Sequence, residues 1–142
     1  MTDRPGGALY SPQLLALAVE LAQYPFKPDA AYLGEAHSRS CGSSIELSCN
    51  ANLHGLGLRV TACAVGQAAA AIFARHAVGR DSDAIGVALL QIEQWLAGAP
   101  DIPAWPDFGA LAAAREYPGR HGAILLPWKA ALDALSKQSV TG

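Results

Sequence analysis

The feature that most constrains this chain is a change of hydrophobic period at Ala64. Before it, Ile45, Leu47 and Cys49 alternate with Glu46, Ser48 and Asn50. Leu56, Leu58, Val60 and Ala62 then alternate with Gly57, Arg59 and Thr61. A period of two puts one side of an extended segment against a core. "NANLHG" between the two runs supplies hairpin-loop residues, so two antiparallel strands with one covered face are predicted. After Ala64, "AVGQAAAAIFARHAVG" is rich in the strongest helix former, and Gly79 supplies a stop. The chain therefore leaves the hairpin directly into a long helix.

Helical signals dominate the remainder. Ser11-Pro12 is a start signal, with Ser as N-cap and Pro at the first helical position. Leu14, Leu15, Ala18, Leu21 and Ala22 follow at helical spacing, and Tyr24-Pro25 ends the run. The connector that follows is irregular, with room for a short edge strand over Ala31 to Ala36. "RDSDAIGVALLQIEQWLAG" reads as a helix capped near Asp81 or Ser82 and ended by Gly98. "DFGALAAAREY" reads as a short helix and "PGRHG" as a turn. "AILLPWKAALDALSK" reads as the last helix, with Pro127 in its first turn. One helix, then strands, then a run of helices predicts an α+β fold: a small antiparallel sheet of two or three strands with about five helices packed on one face. Residues 1–142 are read as one domain.

Composition excludes several functions. Hydrophobic residues make up 51% of the chain and charged residues 15%, which is a folding composition. A formal net charge of −2 offers no broad basic field for nucleic acid or an anionic membrane. No apolar run reaches the length of a membrane span, and no signal core opens the chain. Three cysteines, an odd number, form no secreted framework. The expectation is a soluble cytoplasmic protein with reduced thiols. There is no phosphate-binding loop and no dinucleotide glycine fingerprint. Ser43, Ser44 and Asp133 make no hydrolase triad by spacing.

The cysteines carry the chemistry. Cys63 stands where the second strand meets the long helix, on the opposite parity to Leu56, Leu58, Val60 and Ala62. Unpaired backbone N–H groups at a helix start favour a thiolate, the form that binds metal or attacks a sulfur acceptor. Cys41 stands at the mouth of the hairpin, in "SRSCGSS". An antiparallel pair brings its outer ends together, so Cys41 and Cys63 are expected to be neighbours. Taken singly, either cysteine reads as a small packing residue. Cys49 shares the parity of Ile45 and Leu47 and is assigned to the core. His121, in "GRHGA", is a third candidate ligand of a soft-metal type. His37 lies close to Cys41 and is a lesser candidate. His54 and His76 are expected to be solvated, and Trp95, Trp105 and Trp128 to pack.

The sequence resembles the iron–sulfur cluster assembly scaffold family of IscU, NifU and SufU type, from about Leu9 to Leu135. "ALYSPQLLALA" is similar to the family's opening Leu-Tyr and first helix, and "CGSSIEL" to its Cys-Gly-Asp and following strand. "VTACAVGQAAAAIFARHAVGRD" is similar to the junction at the second cysteine, and "REYPGRHGAILLPWKAAL" to the segment of the third. The resemblance implies a SufE/NifU-like fold with a three-stranded antiparallel sheet. It implies a non-enzymatic scaffold or carrier that takes sulfur from a cysteine desulfurase, receives iron, builds a 2Fe-2S cluster and passes it to acceptor proteins. Cys41 and Cys63 match the first and second cysteines. The family's aspartate falls on Ser43, and its third cysteine on Ala123, or on Gly122 with a one-residue slip.

Two rival readings follow from these departures. A degenerate relative would hold zinc at Cys41, Cys63 and His121, or only transfer sulfur. An interaction module of the same fold would do no chemistry.

Overall fold

Alternating and helical segments assemble as three strands and a set of helices in the computed structural model, which describes residues 9–39 and 42–141. Helix α1, Pro12–Glu20, starts at Ser11, whose hydroxyl accepts the Leu14 N–H at 3.2 Å. It tightens into a 3₁₀ turn over Leu21–Gln23. Strands β1 (Tyr32–His37), β2 (Ser44–Cys49) and β3 (Gly57–Thr61) form one antiparallel sheet in that order. Helices α2 (Ala64–Ala77), α3 (Ser82–Leu96) and α4 (His121–Thr141) follow. The predicted α+β class is therefore the observed one, and the segment at Ala31 to Ala36 does supply the third strand.

Register explains why the sheet has one dry face. Leu47 lies between Gly34 and Leu58, and Ile45 between Ala36 and Val60. Cys49, Leu47 and Ile45 are all buried. On the opposite face Arg59 pairs with Glu46 at 2.9 Å and lies over the Phe26 ring at 4.4 Å. Helix α4 lies on the dry face. A Cβ on Gly34 would sit 2.2 Å from the Ala130 carbonyl oxygen and 2.7 Å from the Ala134 nitrogen, so only glycine permits this approach. At the β2–β3 loop, the Gln138 side chain exchanges two hydrogen bonds of 2.9 Å with Asn52, whose φ is +51°. That contact anchors the far end of α4.

Helix α2 is buried nearly all round, with Ala68 through Ala71 at 0% exposure. Small side chains let α1, the sheet and α4 approach it closely. Trp128, Phe73, Trp105 and Phe108 form an aromatic cluster with centroids 5.3–6.2 Å apart. Trp95 is also buried, edge-on to Phe108 at 5.3 Å, so all three tryptophans pack as predicted.

Two predicted helices differ in detail. Phe108–Glu116 is a 3₁₀ stretch, because Phe108, Leu111 and Ala114 face the core at intervals of three, matching three residues per turn. Helix α4 starts at His121, two residues earlier than expected, so Pro127 falls in its second turn. A 3₁₀ turn over Pro118–Arg120 leads straight into it. Pro127 has no N–H, so the Ala123 carbonyl loses its usual acceptor role at this point.

Candidate thiol site at the open end of the sheet

The β1–β2 connection and the β3–α2 junction leave the sheet at one end. Ser44 lies opposite His37 on one side and opposite Thr61 on the other. Ser44 and Thr61 therefore stand side by side at the end of the sheet from which the chain runs on to Cys63. Cys41 lies outside the described residues. On either side of it, the Ser38 N–H donates to the Ser43 carbonyl at 2.8 Å, and the Gly42 N–H donates to the Ser38 carbonyl at 3.0 Å. Ser43, at the position of the family's aspartate, is buried.

Cys63 is the N-cap of α2. Its backbone is extended, with φ −68° and ψ 174°, and its carbonyl accepts the Gln67 N–H at 3.0 Å. Caps are normally Ser, Thr, Asp or Asn, whose side chains accept a first-turn N–H. The Cys63 side chain makes no such bond, and the thiol is free and half-buried. Sulfur at this position is therefore not committed to holding the helix. The first-turn N–H groups of a helix favour an anion placed there.

Helix α4 brings a third element to α2's first turn. A Cβ on Gly66 would lie 3.1 Å from the Ala123 Cβ and 2.7 Å from the Ala62 Cβ. Ala123 is 2% exposed and has no donor atom to offer, while Gly122 is half-buried. His121, the first residue of α4, has Nε2 2.7 Å from the Arg115 carbonyl oxygen. A carbonyl only accepts, so Nε2 is the donor in this bond and the other ring nitrogen is Nδ1. Among the described residues, no three His, Cys, Asp or Glu side chains gather as a metal site.

The other sequence candidates separate cleanly. His37 is exposed at the end of β1, with Nε2 3.2 Å from Glu35 Oε1. Cys49 is 1% exposed opposite Tyr32, and burial pushes its thiol up. His54 is exposed in the loop. His76 is not simply solvated: its Nε2 lies 2.8 Å from Asp107 Oδ2. Two groups near the site escaped the sequence reading. Arg120 donates to the Tyr10 hydroxyl at 3.0 Å, which ties the segment before α1 to the turn before α4. Arg120 is adjacent to His121, and that adjacency was the available signal.

No family model matches the sequence, and no curated protein matches it. Solved structures do match in fold. The N-terminal part of a nitrogen-fixing NifU-like protein from Brucella abortus superposes with a TM-score of 0.84 at 22% identity, covering 98% of this chain and 100% of that one. A protein assigned as an iron–sulfur cluster assembly scaffold of the SUF system, from Fervidobacterium islandicum AW-1, superposes with a TM-score of 0.77 at 19% identity over 90% of this chain and 97% of its own. A hypothetical protein superposes with a TM-score of 0.66 at 17% identity, covering 87% and 97%. The chain has the fold of the NifU-like and SufU proteins, the family type to which its sequence motifs point.

Proposed function

We propose that this protein is an iron–sulfur cluster assembly scaffold-like protein, a carrier rather than an enzyme, whose working thiols are Cys41 and Cys63. One observation carries the reading. In a fold shared with a SufU scaffold, Cys63 caps α2 with an uncommitted, half-buried thiol, at the end of the sheet to which the β1–β2 connection returns. A cluster on its way to an acceptor needs soft thiolate ligands and a site open to exchange. The same half-buried thiol, as thiolate, can attack the outer sulfur of a donor's persulfide and carry it, the donor's thiolate leaving. Cys63 is the primary thiolate and Cys41 its co-ligand or resolving partner. A cysteine desulfurase would supply sulfur, and iron–sulfur acceptor proteins would receive the product. Both cysteines must be reduced for this work, which suits the cytoplasm. Among the described residues, no helix is long and apolar enough to cross a membrane.

Zinc at Cys41, Cys63 and His121 is the second reading. The bond from His121 Nε2 to the Arg115 carbonyl favours it, because metal-binding histidines commonly donate their other ring N–H to such an acceptor. Anaerobic loading with iron and sulfide tests the first reading through a visible charge-transfer spectrum. Zinc in the purified protein, with no such spectrum after loading, supports the second. Neither metal uptake nor persulfide on Cys41 or Cys63 would leave only an interaction module.

A further inference from the structure

The sheet has two edges, β1 and β3, and they are covered by different means. At β3 the cover is backbone. The Leu58 N–H donates to the Tyr24 carbonyl at 2.8 Å, and Pro25 stands beside Leu58 as a parallel bridge. Proline has no N–H to offer a further strand. At β1 the cover is two side chains of α4. Asp133 Oδ2 accepts the Glu35 N–H at 3.0 Å, and Lys137 Nζ donates to the Leu33 carbonyl at 2.5 Å. Two residues of strand advance about 7 Å and four residues of helix about 6 Å, so one helical turn matches one strand repeat. Gly34, between the two capped residues, has no Cβ to hold α4 away. Lys137 Nζ also lies 3.6 Å from Asp133 Oδ2, so the two side chains steady each other. A carboxylate and an ammonium thus occupy the places of a further strand's carbonyl and N–H.

An uncovered strand edge is a template for another chain, and charged side chains, lysine above all, are a common guard. We propose that Asp133 and Lys137 are a cap that closes the β1 edge, and that the strand they exclude is β1 of a second copy of this chain. The two capped groups are complementary to each other. An antiparallel second β1 centred on Gly34 would bring its Glu35 N–H to the Leu33 carbonyl, and its Leu33 carbonyl to the Glu35 N–H. Such a pairing has two-fold symmetry, the commonest way for identical chains to meet. The cap is removable where the backbone cover at β3 is not, because the Asp133 and Lys137 side chains are 38% and 52% exposed. It involves neither Cys49 nor Cys63, so it does not depend on the scaffold reading.

Amide exchange and mass are measured on the full chain, wild type against Asp133→Ala/Lys137→Ala. In the wild type the Glu35 amide should exchange about tenfold or more slowly than an unprotected amide. In the double variant at low concentration that protection should vanish. As concentration rises, a species of twice the 14.7 kDa chain mass should form, and the protection should return. Adding Glu35→Pro, which an edge strand tolerates where the N–H faces outward, should remove the larger species. Exchange of wild-type Glu35 at the unprotected rate would overturn the cap, whether or not the double variant folds. A folded double variant that keeps the wild-type mass at every concentration would overturn the second copy as the excluded partner. So would a larger species that survives Glu35→Pro.

Discussion

Gly66 and Ala123 meet across the α2–α4 contact, where a methyl group on Gly66 would lie 3.1 Å from the Ala123 Cβ and 2.7 Å from the Ala62 Cβ. Neither neighbour is the flexible end of a long side chain, so the contact cannot relax cheaply. Gly66→Ala gains about 1 kcal/mol of helix propensity. Overpacking costs about 1–3 kcal/mol and prevails, for a net loss of about 1 kcal/mol. Urea denaturation midpoints should read this loss. A variant as stable as the wild type would show that α4 does not press on α2 at this point.

The same contact distinguishes the two positions that resemble the family's third cysteine. Ala123 is 2% exposed and Gly122 is half-buried. In a chain with Cys41 and Cys63 replaced by Ser, Gly122→Cys should react readily with a maleimide in the folded state. Ala123→Cys should react at least tenfold more slowly. Equal rates would contradict the orientation of α4.

Gly34, like Gly57 in β3, sits where an added Cβ would come within 2.2 Å of a backbone oxygen. Its Cβ would lie 2.2 Å from a carbonyl oxygen and 2.7 Å from a backbone nitrogen of α4, and backbone cannot step aside as a side chain can. Gly34→Ala should destabilise the fold by about 3 kcal/mol, at the upper end of overpacking costs. A thermal melt would show the loss as a large fall in Tm.

Acid should weaken one long-range junction. Arg75 donates to both Glu20 oxygens at 2.7 Å and to Asp107 at 3.2 Å, and His76 bonds Asp107 at 2.8 Å. The Arg75 guanidinium holds the Glu20 carboxyl below its usual range, and bonds from His76 and then Arg75 do the same for Asp107. Carboxyls held low in the folded state contribute stability above their unfolded pKa, and it is lost as pH falls through the folded values. The wild type should therefore exceed Arg75→Ala in stability at pH 7, with the gap narrowing as pH drops below the ordinary carboxylate range near 4. Urea midpoints at pH 7 and pH 3 would measure it. A gap that widens in acid would refute the assignment.

Legibility in the sequence followed the range of the interactions. Alternation at Ile45, Leu47 and Cys49 named β2 and its buried face, because period two is a local signal. Ser11 was legible as a cap for the same reason, and the second cap was narrowed to Asp81 or Ser82; the structure uses Asp81, which accepts the Ala84 N–H at 2.9 Å. The stretch after Asp107 misled, because its alanines suggest α-helix while the buried residues recur every three positions. The start of α4 reads as a turn because "PGRHG" carries turn residues and no capping side chain precedes it; Pro118 opens a 3₁₀ turn that runs into the helix at His121. Glu20 and Arg75 are 55 residues apart, and no local pattern announces such a pair. At the site, strand parity and the helix start were enough to place Cys63. The Tyr10–Arg120 bond spans 110 residues and was not legible.

The central claim is that the open-end thiols, and not the core thiol, take up the cargo. Iron bound per chain after anaerobic loading, compared between Cys63→Ala and Cys49→Ala, tests this most directly. Uptake should vanish in the Cys63 variant and persist in the Cys49 variant, which should lose only about 1 kcal/mol of packing stability. Wild-type uptake by the Cys63 variant would contradict the account.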